Sequence, residues 1–258
     1  MDAMITRTPF EATLPAPNVS PLFEKKSFCD GDFTLNYGIY LPDDYSNEKK
    51  YPLILFFHGA GERGNDNEAQ FKIAVSQFFK DPLSPVRECI VICPQCPAEY
   101  KWVNVSEWTE ISYSTDEIPE SRPLAAAVKL IAHLKDTLCI DDDRIYSTGL
   151  SMGGFATWDL LVRHTDLLAA AIPVCGGADC HYASRLTDVP IFTFHGDSDG
   201  VVPCAGTEKM IEELTRLGSK KAKYICYVGG NHGIWETAFS TEGLFDWLLS
   251  QRKSDRMK

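Results

Sequence analysis

The fold is decided by the stretch Ile145-Tyr146-Ser147-Thr148-Gly149-Leu150-Ser151-Met152-Gly153-Gly154. Its first four residues are typical of a buried strand, and a helix-like stretch begins at Phe155. A tight turn carrying Ser151 therefore connects a strand to a helix. Glycines stand two places before and two places after the serine, and their lack of a side chain lets strand and helix approach closely.

Ser151 lies at the point of this turn. A G-x-S-x-G pattern also occurs by chance in Gly-rich turns, but a strand before it and a helix after it form the context of a nucleophile elbow. A serine hydroxyl is a poor nucleophile at neutral pH, so it needs a base to take its proton and a carboxylate to orient that base. With this elbow the expected order along the chain is serine, acid, histidine.

Strand-like and helix-like segments alternate along the chain. Apolar runs typical of buried strands are 53–57, 89–93, 145–148, 169–174, 191–194 and 224–228. Helix-like stretches are 123–138, 155–164, 207–217 and 241–249. This alternation predicts a layered α/β architecture, with a mostly parallel central sheet and helices on both faces. Residues 33–40 alternate in part, as an antiparallel edge strand does.

The length of 258 residues suits one large core, so we expect a single domain over residues 1–258, with 1–27 as an extended N-terminal segment. A formal charge of −11 disfavours nucleic acid and anionic membranes as partners. No apolar run approaches the roughly 18 residues of a membrane span. The N-terminus lacks the features of a secretory signal, which favours a cytoplasmic protein; secretion with the leader removed is the alternative.

The acid is expected in the loop 195–203, which follows the strand-like run 191–194. Asp197 and Asp199 both stand in this loop, and the order rule fits either of them. The aspartate that is not the acid would cap the turn or face solvent.

Four histidines follow the serine and are candidates for the base: His164, His181, His195 and His232. His232 is the only one that comes after the acid, so the order rule selects it. It lies in the Gly-rich loop 229–233, directly after a strand-like run, where an imidazole can reach over the sheet edge toward Ser151.

Two backbone amides are expected to hold the oxyanion. The first is the N–H of Met152, which follows the nucleophile. The second comes from the loop 58–64, whose glycines let the backbone turn its amides toward developing charge. Ala60 is the predicted donor there and Gly61 the alternative. His58, at the end of the preceding strand, is predicted to brace this loop.

Aromatic side chains near the upper sheet edge are candidates for binding substrate. Trp102 and Trp235 are predicted substrate contacts together with Gly61, and Trp108 is a further candidate; ordinary packing is the alternative for all three tryptophans. The nine cysteines form an odd set, several in apolar surroundings, which indicates reduced thiols. Cys93 and Cys96 form a C-x-x-C without a second pair at zinc-finger spacing, so no metal site is expected.

With these residues assembled, the chain resembles α/β-hydrolase esterases related to prolyl oligopeptidase catalytic domains, polyhydroxybutyrate depolymerase-like enzymes and feruloyl or acetylxylan esterases. The resemblance covers about residues 37–249. Its marks are the segments 57–64, 94–97 with Trp102, 141–155, 175–177, 195–199 and 231–232. It implies the α/β-hydrolase fold, Asp199 as the acid, His232 as the base, and neither metal nor organic cofactor.

The resulting prediction is a serine ester hydrolase that acts through an acyl-enzyme on Ser151. Feruloyl, acetyl or similar small acyl esters of carbohydrates are the expected substrates. Peptidase activity of the prolyl oligopeptidase type is the first alternative, but the chain lacks the β-propeller that such peptidases carry. A non-catalytic binding protein is the second alternative, and the presence of nucleophile, acid, base and oxyanion loop in order argues against it.

Overall fold

The structure is a computed structural model that describes residues 4–109 and 113–256, and its centre is one nine-stranded sheet. The strands among these residues are β1 Met4–Pro9, β2 Glu24–Asp30, β3 Phe33–Tyr40, β4 Tyr51–Phe57, β5 Ile90–Gln95, β6 Ile140–Leu150, β7 Ala170–Val174, β8 Ile191–Gly196 and β9 Ala222–Val228. Their order across the sheet is β1-β9-β8-β7-β6-β4-β5-β3-β2. All neighbouring strands are parallel except that β3 runs antiparallel to β5 and to β2. The predicted mostly parallel sheet is confirmed.

Helices cover both faces of this sheet. They are α1 Arg122–Thr137, α2 Met152–Arg163, α3 Ala205–Arg216, α4 Trp235–Phe239 and α5 Leu244–Leu249. Successive side chains of a strand point to opposite faces. Thus Leu53 and Leu55 of β4 join the core beneath α1, α2 and α3, whereas Ile54 and Phe56 join the core beneath α4 and α5. Helices on both faces were predicted, and this is confirmed.

The sequence explains where α1 begins. The Ser121 hydroxyl accepts a hydrogen bond from the amide of Leu124 at 3.2 Å and so caps the first turn. Pro123 suits that turn because its missing N–H would have no partner there. Leu124, Leu130 and Leu134 are buried against the sheet. Within the described ranges, no helix is both long and apolar enough to cross a membrane.

The sheet extends further at both edges than the pattern predicted. β3 is antiparallel as expected, but it is not the edge, because β2 pairs along its outer side. At the opposite edge β1 pairs in parallel with β9, so part of the expected extended N-terminal segment is a sheet strand. The closing helix begins at Leu244 rather than near 241, because Gly243 has a positive φ of 70° and interrupts the helical path.

Candidate active site

Ser151 occupies a strained turn between β6 and α2. Its φ of 55° and ψ of −120° lie outside the regions that non-glycine residues ordinarily adopt. Gly149 and Gly153 allow the turn to pack against the end of β4, since a Cβ on them would lie 2.6 Å and 2.0 Å from the Phe57 carbonyl oxygen. The Ser151 amide also donates to the Val174 carbonyl at 2.9 Å. These contacts hold the serine at the carboxyl edge of the sheet.

His232 follows β9 and reaches the serine from the neighbouring loop. Its Nε2 lies 2.8 Å from Ser151 Oγ, and its Nδ1 lies 2.7 Å from Asp199 Oδ2. An ionised carboxylate can only accept, so Nδ1 carries the proton and Nε2 is free to accept from the hydroxyl. The half-buried Trp235 packs edge-on to this imidazole, with 5.5 Å between ring centroids.

Asp199 is the aspartate that lies behind His232. Burial of its side chain opposes ionisation, but hydrogen bonds from His195, His232 and the amides of Val202 and Val201 outweigh it. The pKa of Asp199 is therefore held well below its usual range.

Asp197, the alternative acid, is exposed and accepts hydrogen bonds from the Gly229 amide and the Ser198 hydroxyl. It braces the turn between two loops and does not contact the histidine of the site.

A second histidine contacts the same carboxylate oxygen of Asp199 as His232 does. His195 is completely buried, and its Nε2 lies 3.2 Å from Asp199 Oδ2 and 2.9 Å from the Val202 carbonyl oxygen. Its Nδ1 lies 2.9 Å from Thr207 Oγ1. The order rule makes His195 a candidate base only and does not select it. Its place at the end of a buried strand, four residues before Asp199, was the signal that could have identified it.

The loop after β4 lies directly beside the serine. A Cβ on Gly59 would lie 3.7 Å from the Cβ of Ser151, and residues 60–62 form a short 3-10 turn. Ala60 opens this turn and Met152 opens α2, so each N–H stands at a helix start, where amides lack an intrahelical partner. Gly61 is exposed and faces open space, as a substrate contact requires.

His58 and Trp102 support this loop from beneath. His58 Nε2 accepts from the Cys96 amide at 2.9 Å, and Nδ1 donates to the Gly59 carbonyl at 2.6 Å. Burial lowers the pKa of His58 to about 4, so the ring is neutral. Trp102 donates to the His58 carbonyl at 3.2 Å and is 0% exposed. Its predicted contact with substrate is therefore corrected: Trp102 has no surface to offer and acts as packing under the loop.

The cysteines are reduced and mostly buried. All nine fall within the described residues, and none is bonded to another. Cys175, His195 and Asp199 place potential metal-ligand atoms within 4.8 Å of one another. The histidine and the aspartate are already committed to hydrogen bonds, and burial raises the pKa of the Cys175 thiol well above its usual value. A protonated thiol is a poor metal ligand, so these three residues do not suit a metal.

Comparison with known proteins bears on the family and the fold of this chain. The family model described as phospholipase/carboxylesterase matches residues 45–242. Feruloyl esterase D of Neurospora crassa is 23% identical over 184 residues, which are 70% of this chain and 58% of that protein. The crystal structure of a thermostable esterase superposes with a TM-score of 0.80 at 35% identity, covering 90% of this chain and 64% of that one.

A third similar protein is the feruloyl esterase module from Clostridium thermocellum, solved as a mutant with sinapinate. It superposes with a TM-score of 0.63 at 16% identity and covers 91% of this chain and 93% of that one. By contrast, the matched region spans less than two thirds of feruloyl esterase D and of the thermostable esterase. From the family model and the fold together, the chain belongs to the phospholipase/carboxylesterase family and has the α/β-hydrolase fold.

Proposed function

We propose that this protein is a serine carboxylic ester hydrolase in which Ser151, His232 and Asp199 form the catalytic triad. The observation that carries the proposal is the continuous hydrogen-bond relay from the Ser151 hydroxyl through His232 to Asp199, at 2.8 Å and 2.7 Å. Both distances are within hydrogen-bond reach, as a nucleophile and its base require. An ionised Asp199 fixes the imidazole tautomer that can accept the serine proton.

The reaction proceeds in two acyl transfers. Ser151 Oγ attacks the ester carbonyl while His232 Nε2 takes its proton, and the amides of Met152 and Ala60 stabilise the oxyanion. His232 then gives that proton to the departing alcohol, which leaves the acyl group on Ser151. Water attacks the acyl-enzyme with His232 again as base, and the acid is released. Asp199 stays ionised throughout, because its pKa lies far below neutral.

We propose feruloyl, acetyl or similar small acyl esters of carbohydrates as substrates. The half-buried Trp235 beside His232 offers an aromatic surface to such a group, and the exposed Gly61 in the loop 58–64 offers an open backbone. Two of the similar proteins are named as feruloyl esterases, which supports an aromatic acyl group.

A substrate panel tests the proposal: p-nitrophenyl acetate, p-nitrophenyl butyrate, methyl ferulate, acetylated xylan and a proline-containing peptide anilide. We expect ester cleavage that Ser151→Ala abolishes and that Ser184→Ala, at an exposed serine, leaves unchanged. Cleavage of the anilide alone would favour a peptidase. Turnover of short alkyl esters without methyl ferulate or acetylated xylan would contradict the substrate assignment but not the esterase.

A further inference from the structure

The second histidine on Asp199 has only hydrogen-bond acceptors around it. The Thr207 hydroxyl donates its single proton to the Gly176 carbonyl at 2.9 Å, so toward His195 Nδ1 the same oxygen can only accept. On the other side of the ring, Nε2 faces a carbonyl oxygen of Val202 at 2.9 Å and a carboxylate oxygen of Asp199 at 3.2 Å. Both of these oxygens only accept.

Each ring nitrogen must therefore donate. We propose that His195 is a buried imidazolium that forms an ion pair with Asp199 and acts as a positioning residue for the triad. A buried charge is stable only when it is paired and hydrogen-bonded, and Asp199, Val202 and Thr207 meet that condition. The kinetic consequences below rest on the proposed esterase function, whereas the proton count does not.

Three thiols lie near this ion pair. Cys175 approaches from the end of β7, Cys204 precedes α3, and Cys226 is the register partner of His195 on β9. Burial raises the pKa of Cys204 to about 11 and that of Cys175 well above its usual value, so these two add no charge at neutral pH. The guanidinium of Arg7 contacts the Cys226 sulfur at 3.4 Å and forms an ion pair with Glu208 at 3.2 Å.

The charge on His195 changes what Asp199 does for His232. A bare carboxylate strongly favours a protonated His232, whereas a carboxylate already paired with an imidazolium favours it less. The positive charge on His195 therefore offsets part of the attraction that Asp199 exerts on a positive charge at His232. Both rings contact the same carboxylate oxygen, so the ion pair also holds Oδ2 in place beside His232 Nδ1.

The direct test is a proton count on the two ring nitrogens. Histidine labelled with 15N in the full chain, observed by nitrogen–proton correlation at neutral pH, should show two protonated nitrogens for His195. The signal is assigned by its absence in His195→Gln. A spectrum with one protonated and one bare nitrogen for His195 would overturn the proposal.

The kinetic test uses variants that alter the charge and its partner. His195→Gln keeps a donor toward Asp199 but removes the charge, so the acidic limb of kcat/KM should move to higher pH by about one unit. Thr207→Val removes the acceptor at Nδ1 and should move the limb in the same direction by less. Thr207→Ser keeps the hydroxyl and should leave the limb in place.

Two results distinguish failure of the inference about His195 from failure of the proposed esterase function. If both His195→Gln and Thr207→Val lower the rate equally at every pH without moving the limb, His195 is only structural and the inference fails. If no ester is turned over at all, the proposed function fails, and the nitrogen spectrum, which needs no substrate, still decides the inference. The Thr207 pair keeps the kinetic test usable if His195→Gln does not fold.

Discussion

Two buried histidines lie at the carboxyl ends of parallel strands of this sheet but contact different kinds of hydrogen-bond partner. His58 directly follows β4 and His195 lies near the end of β8, and each precedes a glycine. Both are almost fully buried. His58 Nε2 accepts from an amide, and burial lowers its pKa to about 4, so the ring is neutral. His195 faces a carboxylate, a carbonyl and a hydroxyl that has already donated its proton.

If each ring carries the protons that its partners require, the loop partners of a strand-end histidine, rather than its burial, decide how many protons it holds. Burial alone disfavours the charged form of both rings. In the proposed assignment, the carboxylate beside His195 reverses this preference, because the two charges then stabilise each other. The neutral His58 supports the loop beside Ser151, and the paired His195 holds the acid of the proposed triad.

Removing the charge of Asp199, the carboxylate that His195 contacts and His58 does not, should have the largest effect on kcat. Asp199→Asn leaves the shape but loses the charge and permits the wrong tautomer of His232, so kcat should fall by about 10⁴. The matched variant Asp197→Asn removes an exposed turn contact and should change kcat by no more than about threefold. Steady-state kinetics on p-nitrophenyl acetate measure both. Equal losses in the two variants would contradict the assignment of Asp199.

We expect a smaller effect from His58, on how the free energy of unfolding changes with pH. Its folded pKa of about 4 lies below the usual 6.5, so the unfolded chain binds the extra proton between these values. Stability from the neutral ring is present above pH 6.5 and is lost as the pH falls toward 4. At about 1.4 kcal/mol per pKa unit, wild type should lose up to about 3 kcal/mol more than His58→Gln over this range.

Urea unfolding at a series of pH values measures this difference. The exposed His133 supplies the control. In His133→Gln, the free energy of unfolding should change with pH as steeply as it does in wild type. A slope in His58→Gln equal to that of wild type would mean that His58 is not the group that titrates.

The sequence predicted the centre of this fold better than its edges. Segments 53–57 and 169–174 are continuous apolar runs because both faces of a central parallel strand are buried, and such runs are easy to recognise. β2 carries Glu24, Lys25 and Lys26 and is largely exposed, as charged edge strands are. β1 pairs with a strand more than 200 residues away, and no local pattern encodes such a partner.

For the candidate site too, the sequence predicted some features and not others. Chain order was enough to select His232, and a family resemblance to prefer Asp199, because those rules concern position along the chain. The burial of Trp102 and the second contact of Asp199 with His195 depend on how loops fold back over the sheet. Composition and order carry no information on that folding, so a tryptophan near the sheet edge was predicted to contact substrate when it supports the loop instead.

The most direct test of the proposed mechanism is the mass of the protein after rapid acid quenching during turnover of p-nitrophenyl butyrate. We expect a fraction of the chain to be heavier by one butyryl group, with the added mass on the peptide that contains Ser151 and absent from Ser151→Ala. Turnover at full rate without any acylated chain, or with the acyl group on another residue, would contradict it.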